Sequence, residues 1–392
     1  MTARIEAKPR RSASDHGHGR EDLRAPHAPG ASRERPRDLA GRAAGDRPVP
    51  EPAGATRGEG PPIRRTVAVI VTMSRPRELD ALLRSIERQR PRPDAVIVVD
   101  NMPGHETAEV VARDPAIRHL VSRRNLGGAG GFSYGILAAL ADGATHVWLM
   151  DDDGLPLEPE CLGALLAAAD AHGADVVSPV IVDIEDPSRL AFPYFVGRKR
   201  MHTRGEIAEA RLVRQFAHLF NGALVRAESF ARFGIPDYRL FLRGDEIDFL
   251  NRVLRGGGHV LTVTDVAFRH PSSACEAVPV LGGLLHAVVP PDPGKQFHFF
   301  RNRGYLLRRH RLYAQALHDV LRYGWYFLVA RRGDWRGFGG WCRLLALGAR
   351  EEFRPYRPPP EDEGMEPAPG GPRARPGAAP HPGGAPPGPA DA

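Results

Sequence analysis

Cysteine is scarce: 392 residues hold three, Cys161, Cys275 and Cys342, far apart and without a CxxC spacing. That argues against a disulfide framework or a thiolate zinc site and suits a reducing, cytosolic setting. Also missing is any apolar run approaching the roughly 20 residues that a bilayer-spanning helix needs. The first segment has no apolar stretch of a secretory leader, and the last has no lipidation box. No nucleic-acid-binding signature accompanies the formal net charge of +7. A basic balance without such a module points to anionic lipid or a phosphorylated substrate. Gly127, Gly128, Gly130 and Gly131 fail the GxGxxG spacing, and they do not follow the first strand. A nicotinamide oxidoreductase is therefore disfavoured.

Apolar periodicity is absent from both ends. Residues 1–62 are dense in Arg, Pro, Gly and Ala, and 355–392 are mostly Pro, Gly and Ala. Neither stretch can bury enough apolar surface to offset its ordering entropy, so both read as disordered tails. Between them, 63–296 reads as one α/β domain and 297–354 as a basic, aromatic helical region.

What is present begins with a buried strand over 67–72, a helix over 78–89 with Leu79, Leu82, Leu83 and Ile86 on one face, and a strand over 95–99. A helix over 108–113, a strand over 117–122, a helix over 133–142 and a strand over 145–150 follow. A helix over 161–172 and a strand over 175–182 complete the first half. The alternation predicts a doubly wound, mostly parallel, Rossmann-like sheet with its ligand at the strand C-termini. The second half is less regular, with strands expected over 220–225 and 259–270 and a helix over 245–254.

The strand over 145–150 ends in Asp151, Asp152 and Asp153. Alternation along an extended chain turns Asp151 and Asp153 one way and Asp152 the other. Two same-facing carboxylates make half of an oxygen site for Mg²⁺ or Mn²⁺, completed by substrate phosphates. An acidic cap on a strand end is the plainer alternative. Asp100 ends another strand and can accept from a base N–H or a ribose hydroxyl, or simply open a turn. Thr72 and Arg75 follow the first strand and can edge the same pocket. The glycine-rich stretch after Arg123 and Arg124 either packs a helix start on the sheet or offers that helix's N-terminus to an anion. Asp245, Glu246 and Asp248 cluster where a helix begins, a setting that favours an ionised carboxylate and thus a general base. Asp248 reads as the structural member. His270 is either structural or a nitrogen ligand, which suits Mn²⁺ better than Ca²⁺. Beyond Phe297, arginines mixed with Trp, Tyr and Leu suit a helix lying at a membrane interface, or helices packed on the core with solvated arginines.

In order, Asp100, the Arg-Asn-x-Gly segment, the DxD, and the Asp-Glu-x-Asp helix start followed by Arg252 resemble the pattern of family 2 glycosyltransferases with the GT-A fold. RRNLGGAGGF, DDDG, DPSRLAFP, FNGAL, RLFLRGDEID and RNRGY narrow the resemblance to the galactofuranosyltransferases that begin galactan on mycobacterial-type cell walls. It covers about 67–350. The resemblance implies an inverting, metal-dependent enzyme taking UDP-galactofuranose to a polyprenyl-diphosphate-linked rhamnosyl–N-acetylglucosamine. Asp151, Asp153 and His270 would bind Mg²⁺ or Mn²⁺. Glu246 would be the base, with Asp245 able to exchange roles with it. Thr72, Arg75, Asp100, Arg124, Asn125, Asp151 and Asp152 form the expected donor-binding set. The place implied is the inner face of the plasma membrane, peripherally attached. Rivals are a rhamnosyl- or other hexosyltransferase of cell-wall synthesis and a non-catalytic sugar-nucleotide-binding partner.

Overall fold

The computed structural model describes residues 64–358 except Pro103, residues 197–198 and residues 273–275. The two expected tails lie outside the described residues, apart from 355–358. One compact unit ends at Arg354 and a second begins at Pro355; everything below belongs to the first.

Strands β1 (Thr66–Thr72), β2 (Ala95–Asp100), β3 (Ile117–Val121) and β4 (His146–Asp151) alternate with helices α1 (Pro76–Glu87), α2 (His105–Val111) and α3 (Gly127–Ala141). A short β5 (Leu155–Pro156) and α4 (Cys161–His172) lead into β6 (Val176–Asp183). The alternation then gives way to β7 (Arg189–Val196), β8 (Lys199–Thr203), α5 (Arg204–Ala208), β9 (Leu212–Arg214) and β10 (Asn221–Arg226). Next come α6 (Ala227–Phe233), α7 (Asp245–Arg255), β11 (Val260–His270) and the pair β12 (Ala277–Val280) and β13 (Leu285–Val288). Helices α8 (Pro293–Arg309), α9 (Tyr313–Gly324) and α10 (Trp335–Ala349) close the unit.

The main sheet runs β3-β2-β1-β4-β10-β6-β11-β5. The β3-β2-β1-β4 block and the β6–β11 pair are parallel. Between them β10 runs antiparallel to both β4 and β6. The expected doubly wound, mostly parallel sheet is thus present, with antiparallel strands at its middle and rim.

β1 is buried along its whole length, as a parallel strand covered on both faces must be. Its alternation sorts the two cores. Ala68 and Ile70 pack with Leu79 and Leu82 of α1 and with Leu162 and Leu165 of α4. Val67, Val69 and Val71 pack with Phe132 and Ile136 of α3 and with Phe249 and Val253 of α7. Helix α3 begins six residues before the expected 133. The reason is packing: a Cβ on Gly131 would lie 2.7 Å from Val71, and one on Gly135 2.4 Å from Val69. Gly131 and Gly135 are therefore the helix's sheet-facing positions. Helix α8 also begins early, because Asp292 accepts the Lys295 N–H at 2.6 Å and Pro293 takes the first turn.

Register then delivers the site. Thr72 pairs with Asp100 and Val71 with Asp151, so three strands end together at one edge of the sheet.

Candidate active site

Strand β4 stops at Asp151, so alternation does not carry through the triple acid. Asp152 Oδ2 accepts from Thr72 Oγ1 at 2.7 Å and from the Met73 N–H at 3.3 Å, and Oδ1 accepts from Arg75 at 3.0 Å. The same Arg75 nitrogen donates to Asp153 Oδ2 at 2.9 Å. Arg75 thus bridges Asp152 and Asp153 and locks the turn to the loop after β1. Asp152 does not simply face away from its neighbours.

The other oxygen of Asp153 is buried without a hydrogen-bond partner among the described residues, and lies 3.4 Å from His270 Nε2. His270 ends β11, and its Nδ1 lies 2.7 Å from the Pro271 carbonyl, to which the ring N–H donates. That leaves Nε2 as the lone-pair nitrogen in the neutral ring, the form that binds metals. Burial pushes Asp151 well above the usual carboxylate range, and the charges of Asp153, Asp152 and Asp245 add to it. Burial would raise Asp153 too, but His270 in its protonated form, together with Arg75, holds it down at about 2; a cation would take the place of that proton on Nε2. Crowded carboxylates, an unpaired oxygen and a lone-pair nitrogen fit a divalent cation. No group of three His, Cys, Asp or Glu among the described residues is arranged to hold one alone. An ion of this type ordinarily draws further ligands from substrate phosphates and water.

A cavity of ≈ 840 Å³ opens beside Asp151. Asp245, Glu246 and His270 share its wall. Helix α7 presents the first two because Gly244 caps it at φ 93°, a left-handed turn that glycine tolerates. The loop before it is pinned from α8: Asn302 Nδ2 donates to the carbonyls of Leu240, Leu242 and Arg243 at 2.8, 3.0 and 2.6 Å. Burial, then the charge of Glu246, raises Asp245 to about 7. Burial raises Glu246 as well, but Arg243 and His270 oppose it. Arg243 itself pairs with both oxygens of Glu276 at 2.7 and 2.6 Å. Asp248 turns inward to Arg252 at 2.9 Å and His310 at 2.8 Å, a structural placement.

Of the expected residues, Asp151, Asp245, Glu246 and His270 meet in the cavity, and Thr72, Arg75, Asp152 and Asp153 form the bonded cluster next to it. Asp100 is buried at the end of β2, with His119 3.5 Å from Oδ2; burial raises its carboxyl. Asn125 caps Gly127 N at 2.7 Å and its amide approaches Met73 Sδ at 3.2 Å. Arg124 is exposed; its carbonyl accepts from Ser122 Oγ at 2.6 Å.

Several residues were missed. His218 is boxed by Phe192 and by the edges of Tyr194 and Phe216, and Phe192 also lies 5.1 Å from the His270 ring. Burial, helped by His270, pushes the His218 imidazole down to about 3, so it stays neutral. The i, i+2, i+4 spacing of Phe216, His218 and Phe220 was the available signal. Phe220 stacks on Phe132 at 3.8 Å along the cavity wall. Arg301, expected among the interfacial arginines, is instead buried at 1% exposure, donating to the carbonyls of Leu240 and Arg354.

The family model described as Glycosyl transferase family 2 matches residues 67–226. Galactofuranosyltransferase GlfT1 of Mycobacterium tuberculosis (strain ATCC 25618 / H37Rv) is 46% identical over 292 residues, 73% of this chain and 96% of that protein. Galactofuranosyltransferase GlfT1 of Mycolicibacterium smegmatis is 42% identical over 294 residues, 73% of this chain and 97% of that protein. Among solved structures the likeness is looser: GalNAc-T7 with UDP, GalNAc and Mn²⁺ has a TM-score of 0.43 at 13% identity, over 54% of this chain and 44% of that chain.

Proposed function

This chain belongs to glycosyl transferase family 2, with that family's GT-A fold, and on that premise we propose that it moves galactofuranose from UDP-galactofuranose to a polyprenyl-diphosphate-linked rhamnosyl–N-acetylglucosamine, starting cell-wall galactan. The observation that carries the reading is a single cavity in which Asp151 and His270 face a carboxylate pair, Asp245 and Glu246. Its likeness to two galactofuranosyltransferases supports the sugar.

Asp100 accepts from the uracil N–H or the ribose, at the strand edge it shares with Thr72. Arg75 sets the Asp152–Asp153 turn, and Arg124 and Asn125 flank the donor at the start of α3. Asp151, Asp153 and His270 would hold Mg²⁺ or Mn²⁺, which supplies charge compensation for a departing diphosphate. Glu246 takes the proton from the acceptor hydroxyl, whose oxygen attacks the anomeric carbon as the bond to UDP breaks. Attack from the face opposite UDP inverts that carbon. Arg243 favours the ionised form of Glu246, whereas burial and Glu246 keep the proton on Asp245 to about pH 7, which leaves Glu246 as the member of the pair free to accept one.

Purified protein given UDP-galactofuranose and a synthetic lipid-linked disaccharide should yield a product heavier by hexose units. Glu246→Gln should lose turnover about a hundredfold or more while UDP affinity stays unchanged. Full turnover in that variant would move the base elsewhere, and preference for a pyranose donor would replace the furanose reading.

A further inference from the structure

The cavity has a second charged wall, away from the carboxylates. Helix α8 contributes Arg303 and helix α9 contributes Arg322, and both line the cavity. Behind them sits Asp319, 1% exposed. Arg303 Nε donates to it at 2.6 Å, and Arg322 donates to its other oxygen. Two guanidinium groups held on one buried carboxylate leave one positive charge uncompensated by it. The Nε of Arg322 is buried without a hydrogen-bond partner among the described residues. The other partners of the two arginines are neutral, the His286 carbonyl for Arg322 and Gln315 Oε1 for Arg303, each at 3.4 Å, so the cluster keeps a net positive charge for another anion. Both forks are already fixed in place by Asp319, so an incoming anion has little side-chain freedom to freeze out.

We infer that Arg303 and Arg322, clamped by Asp319, form a subsite for the diphosphate of the acceptor. This deepens the reading above and rests on its lipid-diphosphate acceptor. The donor's diphosphate belongs at the acidic corner of Asp151 and Asp153, where a bare anion is repelled without a cation. A guanidinium pair in the same cavity suits a second diphosphate that arrives without one. Helix α9 supports the assignment, because beside Arg322 it exposes Leu317, Val320 and Leu321, an apolar surface for the attached prenyl chain.

The test uses the full chain saturated with UDP and Mn²⁺ and titrated with farnesyl diphosphate, then with farnesol. Arg322→Gln and Arg303→Gln should each weaken farnesyl diphosphate binding about tenfold or more. Farnesol and UDP affinities should not change, and Arg322→Lys should recover part of the loss. Should a Gln variant fail to fold by thermal melting, Arg303→Lys and Arg322→Lys carry the test, each expected to bind more weakly than wild type. Equal weakening of farnesyl diphosphate and farnesol would make the arginines merely structural and overturn the inference. So would unchanged binding, displacement of farnesyl diphosphate by excess UDP, or a matching loss of binding to phosphatidylglycerol vesicles, which offer headgroups without a diphosphate. Because no sugar is transferred here, an enzyme that rejects UDP-galactofuranose yet binds farnesyl diphosphate through these arginines supports the subsite and sinks only the donor.

Discussion

Asp245 and Glu246 are neighbours in sequence with different electrostatic company. Burial and Glu246 push Asp245 from an ordinary 3.8 to about 7, whereas Arg243 and His270 counter the rise at Glu246. A carboxyl that holds its proton in the folded chain but sheds it near pH 4 when unfolded has a definite linkage sign. Between about pH 4 and 7 the folded state binds more protons, so raising pH across that window removes stability. Thermal melts at several pH values should show wild type losing stability relative to Asp245→Asn as pH rises from about 4 to 7. Parallel curves would mean that Asp245 ionises normally. At this scale the sequence was legible where chemistry sits at an element's end: Asp100 and Asp151 at strand ends, Asp245 and Glu246 at a helix start. It was opaque where the same letter serves two environments. Arg301, buried, and the exposed Arg308 lie in one arginine-rich run, and nothing local distinguishes them.

Helices α8 and α10 meet through glycine. A Cβ on Gly348 would come 1.6 Å from the Arg301 carbonyl oxygen, and one on Gly304 2.0 Å from that of Leu345. This close crossing fixes Arg301 and Asn302, and through their bonds to the carbonyls of Leu240, Leu242 and Arg243 it sets where α7 begins. Gly348→Ala should therefore cost about 3 kcal/mol or more and lower turnover as α7 shifts. Gly340, on the same helix with nothing within 4 Å, is the control: Gly340→Ala should gain about 0.5–1 kcal/mol. Equal effects in denaturant titrations would refute the crossing. Elements of the first half were readable because each strand is a continuous apolar run and each helix has one apolar face. The α8–α10 crossing was not, since it depends on contacts between residues distant in sequence. The early start of α3 was hidden because a glycine-rich string reads equally as loop or as close packing.

At the scale of the whole molecule, no helix among the described residues is long and apolar enough to cross a membrane. Among the described residues the C-terminal helices nevertheless leave an uncovered apolar strip. Leu317, Val320, Leu321, Trp325 and Val329 are exposed at helical spacing, with Trp335 beyond them. Arg331, Arg332, Arg336 and Arg343 are exposed on the same segment. Apolar side chains that enter the headgroup region, bordered by arginines that meet anionic lipid, are the two terms of peripheral attachment, and each basic residue near such a surface adds about 1 kcal/mol. We propose that this strip seats the enzyme on the inner leaflet, where a polyprenyl diphosphate is presented. Flotation with phosphatidylglycerol vesicles should show binding at low salt. It should weaken at about 1 M salt, where the Debye length falls to about 3 Å. The apolar term is not screened, so Leu317→Ser with Leu321→Ser should weaken binding even at low salt while leaving the thermal melt in place, since both side chains already face water. Protein that stays in the soluble fraction with anionic vesicles at low salt would remove the membrane from the proposal. Binding by the double variant equal to that of wild type would leave the arginines as the sole anchor.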